Sequence, residues 1–295
     1  MKILILGANG MLGHSLFSNL LTYNHDVFGT IRAKNNLFLK SFGERIFYNV
    51  DFNDNNLKKI DNIIQKTSPD YVINCIGIIK QKKQSMLNMD QNIYINSYLP
   101  HLLSNLAEKN NSKFIHFSTD CVFSGIQGAY VESDVPDARD SYGLTKYLGE
   151  INNKHSITLR TSIIGHELNT NLSLVDWFLS EKNDEVTGFC NAIFSGLPTC
   201  YVAKILNKYI LGSNLHGLYH LSVDPIDKYS LLSLVAKIYN KKINIRKDYS
   251  FEIDRSLSSK KLTTDSGYNY ENWEELIKLM HQDKYSNLIY DSKEN

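Results

Sequence analysis

Near its amino terminus the chain passes from an apolar run straight into glycines, and few folds accept that transition. Lys2-Ile3-Leu4-Ile5-Leu6 reads as a short strand of the buried parallel type, and Gly7-Ala8-Asn9-Gly10-Met11-Leu12-Gly13 leads from it into an apolar-periodic helix. In a strand-turn-helix, glycine permits the tight turn, lets backbone amides approach a pyrophosphate, and allows close packing of helix on strand. The helix amino terminus also favours an anion. The competing reading, a secretory leader, fails because Asn9 and Gly10 interrupt the run before the length such a leader needs.

Short strand-like runs recur between helical stretches, at Val27 to Thr30, Ile46 to Val50, Tyr71 to Ile76, Lys113 to Phe117 and Ile157 to Arg160. This alternation predicts an α/β fold, a doubly wound parallel sheet of the Rossmann kind with helices on both faces and a smaller carboxyl-terminal α/β substrate lobe. The expected division is 1–163 for the dinucleotide-binding part, joined by a later segment near 194–222, with 164–295 mainly the interleaved substrate lobe. The second strand end normally offers a carboxylate to an NAD ribose, but from Val27 to Gly43 there is no Asp or Glu. Thr30, Arg32 and Lys34 stand there instead, suited to a 2′-phosphate, so the expected cofactor is NADPH, with NADH as the alternative. Solvated loop charge is the other reading of Arg32 and Lys34. Asp51 and Phe52 are candidates for the adenine side, although Asp51 also reads as a strand-end cap. Cys75, Ile76 and Gly77 end the fourth run at the carboxyl edge of the sheet, where ligands bind in such folds.

Of 18 tyrosines, only Tyr142 is followed four places later by a lysine, Lys146. Side chains at i and i+4 share a helix face, and an ammonium beside a phenol lowers the phenol's pKa, so the pair is expected to exchange protons near neutral pH. A solvated helix face gives the same spacing by chance. The fifth run ends in Phe117-Ser118-Thr119-Asp120-Cys121, where a hydroxyl of Ser118 or Thr119 can hold a carbonyl oxygen; local turn capping is the other reading. The net charge of +1 gives no electrostatic reason to expect nucleic acid or an anionic membrane as partner. No apolar stretch approaches a membrane span, and Cys75, Cys121, Cys190 and Cys200 lack paired spacing. A cytoplasmic protein without a metal site is expected.

Taken in order, these residues resemble the extended short-chain dehydrogenase/reductase family and, within it, the dTDP-4-dehydrorhamnose reductases. Phe117 to Gly125, Tyr142 to Glu150 and Leu159 to Ser162 carry the likeness, as do Ser195 to Thr199, Gly217 to Leu221 and Asp254 to Leu257. The resemblance implies a catalytic triad of Thr119, Tyr142 and Lys146, with Lys146 also on the nicotinamide ribose. It implies pyrophosphate contacts from Gly7, Gly10 and Gly13, and Thr161 and Ser162 near the nicotinamide and the hexose. Asp120, Cys121 and Trp177 complete the expected substrate contacts, with ordinary packing as the other reading of Trp177. Ile163 and Cys121 stand where rhamnose reductases carry aromatic residues, which leaves the sugar open.

The implied reaction is NADPH-dependent reduction of the C4 ketone of a nucleotide-activated 4-keto-6-deoxyhexose, in deoxysugar synthesis for surface polysaccharide. A 4,6-dehydratase is disfavoured because Cys121 replaces the needed acid. The alternatives are a nucleotide-sugar epimerase and a non-catalytic dinucleotide-binding subunit resembling the regulatory subunit of methionine adenosyltransferase. A homodimer through helices around Gln91 to Asn110 is a further expectation. His14 is expected at the surface or an interface, His116 as a satisfied core histidine, Met86 and Met89 in the core or a dimer face, and the end from Gln282 as a frayed tail.

Overall fold

The computed structural model describes residues 1–34, 41–52, 57–79, 88–168 and 170–286. Seven parallel strands form the main sheet: β1 (Lys2–Leu6), β2 (Asp26–Thr30), β3 (Ile46–Phe47), β4 (Tyr71–Asn74), β5 (Lys113–Thr119), β6 (Ser156–Thr161) and β10 (Gly217–His220), in the order β10-β6-β5-β4-β1-β2-β3. The order reverses between β1 and β4, which opens a crevice at the carboxyl edge. Alternation of side chains along β1 explains the two-sided core. Ile3 and Ile5 pack with α1 (Met11–Thr22) and the helical run α6 (199–210), while Leu4 and Leu6 pack with α2 (Leu57–Thr67) and α3 (89–109). Among the described residues no helix is long and apolar enough to cross a membrane.

After β6 the chain forms the short pair β7 (Ile163–Ile164) and β9 (Leu197–Pro198), α5 (Leu174–Ser180), and β8 (Glu185–Phe194). β8 is the middle strand of a three-stranded sheet with β11 (Ile226–Asp227) and β12 (Asn244–Asp254). One face of this sheet is covered by α7 (Lys228–Ile238), whose Leu231, Leu232 and Val235 join a separate apolar cluster with Val175, Phe178 and Phe194. Helices α8 (Lys260–Ser266) and α9 (Trp273–Ser286) complete the chain.

Several expectations need correction. The third run stops at Phe47, because Asn49 takes a positive φ of 56° and the Val50 amide turns to bond Ile31 O. His14 is buried, its Nδ1 on Gly10 O at 2.8 Å, because α1 faces the sheet there. Met89 is 50% exposed and so is no core residue, and Met86 lies outside the described residues. α9 continues through Ser286, past the point expected to fray, and the tail beyond it lies outside the described residues.

Candidate active site

The glycine turn forms one wall of a groove. Gly7 sits at φ +82°, a conformation that side chains resist, and a Cβ on Gly13 would lie 2.1 Å from Gly7 O. The first turn of α1 therefore packs directly on the end of β1, with nothing between backbone and ligand space. A cavity of about 590 Å³ runs along this edge, lined by Gly7, Asn9, Gly10, Arg32, Asp51, Phe52, Cys75, Ile76 and Gly77, and across it by Asn88 and by Asp90, Gln91, Tyr94 and Ile95 of α3. Most of the cofactor residues expected from sequence thus share one groove, including exposed Arg32. The donor set fits a dinucleotide: unobstructed backbone at a helix amino terminus, and a guanidinium at the second strand end.

Two expectations there fail or divide. Thr30 is fully buried and its Oγ1 accepts from the Gly7 amide at 3.2 Å, so it braces the turn instead of meeting a 2′-phosphate. Asp51 Oδ1 accepts from the Phe52 amide at 2.9 Å, so it serves as a local cap while also lining the groove. Met11 and Leu12 belong to the first turn of α1, and Leu12 is in the apolar core, as Gly13 is in the helix-strand contact.

β5 carries Thr119 to the same edge, beside the end of β4 with Asn74 opposite His116. Thr119 Oγ1 accepts from the Cys121 amide at 3.1 Å and donates to Asp120 Oδ1 at 3.1 Å, opening a single helical turn over Asp120–Val122. The helix carrying Tyr142, α4 (Ser141–Leu148), starts at Asp140, whose carboxylate accepts from the Tyr142 and Gly143 amides. A Cβ on Gly143 would lie 2.2 Å from Cys121 O, so α4 rests on the Thr119 turn with no side chain between them. Tyr142 is thereby half-buried, with its phenol brought close to the Thr119 hydroxyl. Lys146, one turn on, is buried and donates to Phe117 O at 2.7 Å. The three triad residues converge.

Their electrostatics differ from the sequence expectation. Burial raises the Tyr142 phenol above its ordinary value, helped by Cys121, Asp120 and Asp140, and the nearby Thr119 hydroxyl only partly offsets this. Burial lowers Lys146 from 10.5 to about 8, with Glu150 pulling it back up. The ammonium reaches the Phe117 carbonyl. Tyr142 is held as neutral phenol, the proton-loaded form.

Ser118 points away from this site. Its Oγ donates to Glu150 Oε1 at 2.7 Å, and Glu150 grips Arg160 of β6 through two bonds of 2.8 Å, both side chains being under 10% exposed. Consecutive residues on a strand face opposite sides, which separates Ser118 from Thr119. Thr161 is buried with its hydroxyl on Ser162 O at 3.2 Å, and Ser162 lies half-buried at the same edge. Trp177 is 38% exposed on α5, outside the face that buries Val175 and Phe178, so it is not ordinary packing. His116 bonds Asn74 through Nδ1 while Nε2 lacks a partner among the described residues, so that core histidine is only half satisfied.

Two cations beside the Thr119 turn escaped sequence reasoning. Arg255 donates to Phe123 O at 3.0 Å and approaches Cys121 Sγ at 3.5 Å, and Lys228 begins α7 with its ammonium 3.5 Å from the Phe194 ring centre. Arg255 was visible as part of Asp254-Arg255-Ser256-Leu257, but Lys228 is brought in by tertiary structure alone.

The family described as RmlD substrate binding domain matches residues 1–285. The chain belongs to that family. A dTDP-4-dehydrorhamnose reductase of Aggregatibacter actinomycetemcomitans is 28% identical over 234 residues, 76% of this chain and 74% of the relative. Subunit beta of methionine adenosyltransferase 2 from Danio rerio is 22% identical over 258 residues, 81% of this chain and 74% of that one. A Bacillus anthracis dTDP-4-dehydrorhamnose reductase solved in complex with NADP shares the fold at a TM-score of 0.77 and 21% identity, covering 96% of this chain and 99% of that chain.

Proposed function

We propose that the chain reduces the C4 ketone of a nucleotide-activated 4-keto-6-deoxyhexose with NADPH. The observation that carries the reading is the convergence of Tyr142 on Thr119 beside Lys146, at the sheet edge that also bears the glycine groove. Bound NADPH would supply a hydride to the carbonyl carbon. Gly7, Gly10 and the α1 amino terminus would take the pyrophosphate, Arg32 the 2′-phosphate, and Lys146 the ribose hydroxyls. Tyr142, neutral at physiological pH, would deliver its proton to the carbonyl oxygen as charge develops there, and Thr119 would turn its hydroxyl from Asp120 to donate a second hydrogen bond to the same atom. Much of the rate would come from holding the ketone and the phenol together in a site largely closed to water. Family membership and the reductase relative support the same chemistry.

The division of labour we infer assigns the groove to 1–163 with the β10 segment, and the sugar nucleotide to the small sheet and its helices. Exposed Ile93, Tyr98, Leu144 and Leu148 on α3 and α4 support a homodimer through those helices, which light scattering in solution would test. A cytoplasmic location fits an enzyme drawing on nucleotide-sugar and NADPH pools. The deciding experiment offers the purified chain dTDP- and UDP-linked 4-keto-6-deoxyhexoses and follows NADPH oxidation. Turnover with at least one of them is expected; no turnover, together with co-purification of a larger enzyme, would instead favour a regulatory subunit.

A further inference from the structure

His116 stands within β5, fully buried, its ring stacked nearly parallel on Phe114 with 6.3 Å between centres. Opposite it on β4, the Asn74 amide approaches His116 Nδ1 at 3.1 Å. That amide can face only one way, because Asn74 Oδ1 accepts from the Ile76 N–H at 3.0 Å and so leaves Nδ2 toward the imidazole. Nδ1 therefore carries the lone pair, and the proton of the neutral ring sits on Nε2. Burial, with Lys146 and then His101 nearby, holds the imidazole well below its ordinary value and keeps it neutral. The Nε2–H is buried with no partner among the described residues, a penalty that an apolar ring on Phe114 would avoid.

This row of contacts ends on the cofactor groove. Ile76 lines the groove with Cys75, Gly77 and Ile78, and it packs on the glycine turn: a Cβ on Gly7 would lie 3.1 Å from Ile76 Cγ1 and 3.4 Å from the Cys75 carbonyl. At the other end of the segment, Asn96 of α3 accepts from the Ile78 amide at 2.9 Å and donates to the Ile78 carbonyl at 3.1 Å. Asn96 is itself steadied by Thr145 of α4, whose Oγ1 lies 3.3 Å from its Nδ2. For Asn74 Nδ2 the corresponding partner is His116.

Resting on the reading that this groove holds NADPH, we propose that His116 is a positioning residue for the cofactor, its Nδ1 lone pair fixing the Asn74 amide and with it the backbone segment that closes the groove against Gly7. It acts through Asn74, not on the reacting atoms. Without an acceptor at Nδ1 the Asn74 amide can rotate, its hold on the Ile76 N–H loosens, and the segment shifts from the glycine turn. What the position requires is one acceptor atom; ring volume serves packing alone.

The test separates the acceptor from the ring. His116→Phe keeps the stack on Phe114 and removes the acceptor, whereas His116→Asn keeps an acceptor at the Nδ1 position and removes the ring. NADP⁺ binding by calorimetry and thermal melting are measured on both. His116→Phe should melt near wild type yet bind NADP⁺ about tenfold more weakly, the loss appearing in KM for NADPH and not in kcat. His116→Asn should melt lower, because it leaves a cavity, yet bind NADP⁺ within about threefold of wild type. A histidine that serves only the core gives the opposite order, with affinity following melting temperature, and that result overturns the inference. Wild-type NADP⁺ affinity in His116→Phe also overturns it, and leaves the reductase reading standing. Should His116→Asn not fold, His116→Phe decides alone through its KM, since a loss of folded protein lowers only kcat. A wild type that binds NADP⁺ and weakens in His116→Phe, yet reduces no 4-keto nucleotide sugar, supports the inference and refutes the reductase reading.

Discussion

β6 buries all six of its residues, whereas β12, with eleven, buries none. The contrast extends to the two sheets. The large one is covered on both faces by helices, and its central strands β1 and β4 read as short apolar runs. In the small one, β8 alternates buried and half-buried residues, and β12 leaves Tyr249 63% and Phe251 48% exposed. One sheet commits its side chains to cohesion; the other leaves many of its side chains open to solvent, which suits the substrate role proposed for it. Alterations should therefore cost folding in the first and recognition in the second.

That contrast can be broken at four points, of decreasing expected effect. Glu150→Ala leaves Arg160 buried without its partner at the junction of β5, β6 and α4, and should cost about 3–5 kcal/mol of stability, read by denaturant unfolding. Tyr142→Phe should cut turnover by at least about a hundredfold while leaving NADPH affinity and thermal stability near wild type. Near-normal turnover would remove the phenol from the chemistry.

The third point is a pH effect at Lys228. Its folded pKa is depressed to about 8 from 10.5, so between those values the unfolded chain holds the extra proton and stability rises with pH. Lys228→Met should consequently be the more stable protein at pH 7, with the gain shrinking as pH climbs through that window in thermal melts. A gain that does not depend on pH would mean that Lys228 is not an uncompensated cation. Last, Tyr249→Ser should stay within about 0.5 kcal/mol of wild type, since nothing in the large core depends on it.

The same contrast explains what the sequence made legible. Strands β1, β4 and β5 announce themselves because burial on both faces favours apolar runs, and the glycine turn does so because a Cβ at Gly13 would collide with Gly7 O. The triad was legible because Tyr142 and Lys146 lie on one helix turn and Thr119 ends a strand. Pairing of β8 with β12 joins Glu185 to Asn244, a separation no local pattern encodes, so Lys228 and Arg255 could not be brought together from sequence. The sense of the Tyr142 shift was misjudged for a related reason. An i, i+4 ammonium argues for a lowered phenol pKa, but burial outweighs it, and Lys146 turns to the Phe117 carbonyl. Thr30 stands where a phosphate ligand is expected, but its hydroxyl accepts from the Gly7 amide, a tertiary contact that local sequence does not encode.

β10 returns to the large sheet only after the chain has already built β8. A fragment ending at residue 163 would leave the outer rim of β6 with amides and carbonyls unmatched along Ile157 and Leu159, an invitation to stick to other chains. A fragment of residues 1–163 is therefore expected to associate with other chains, and a nascent chain carries that adhesive rim until synthesis has passed His220.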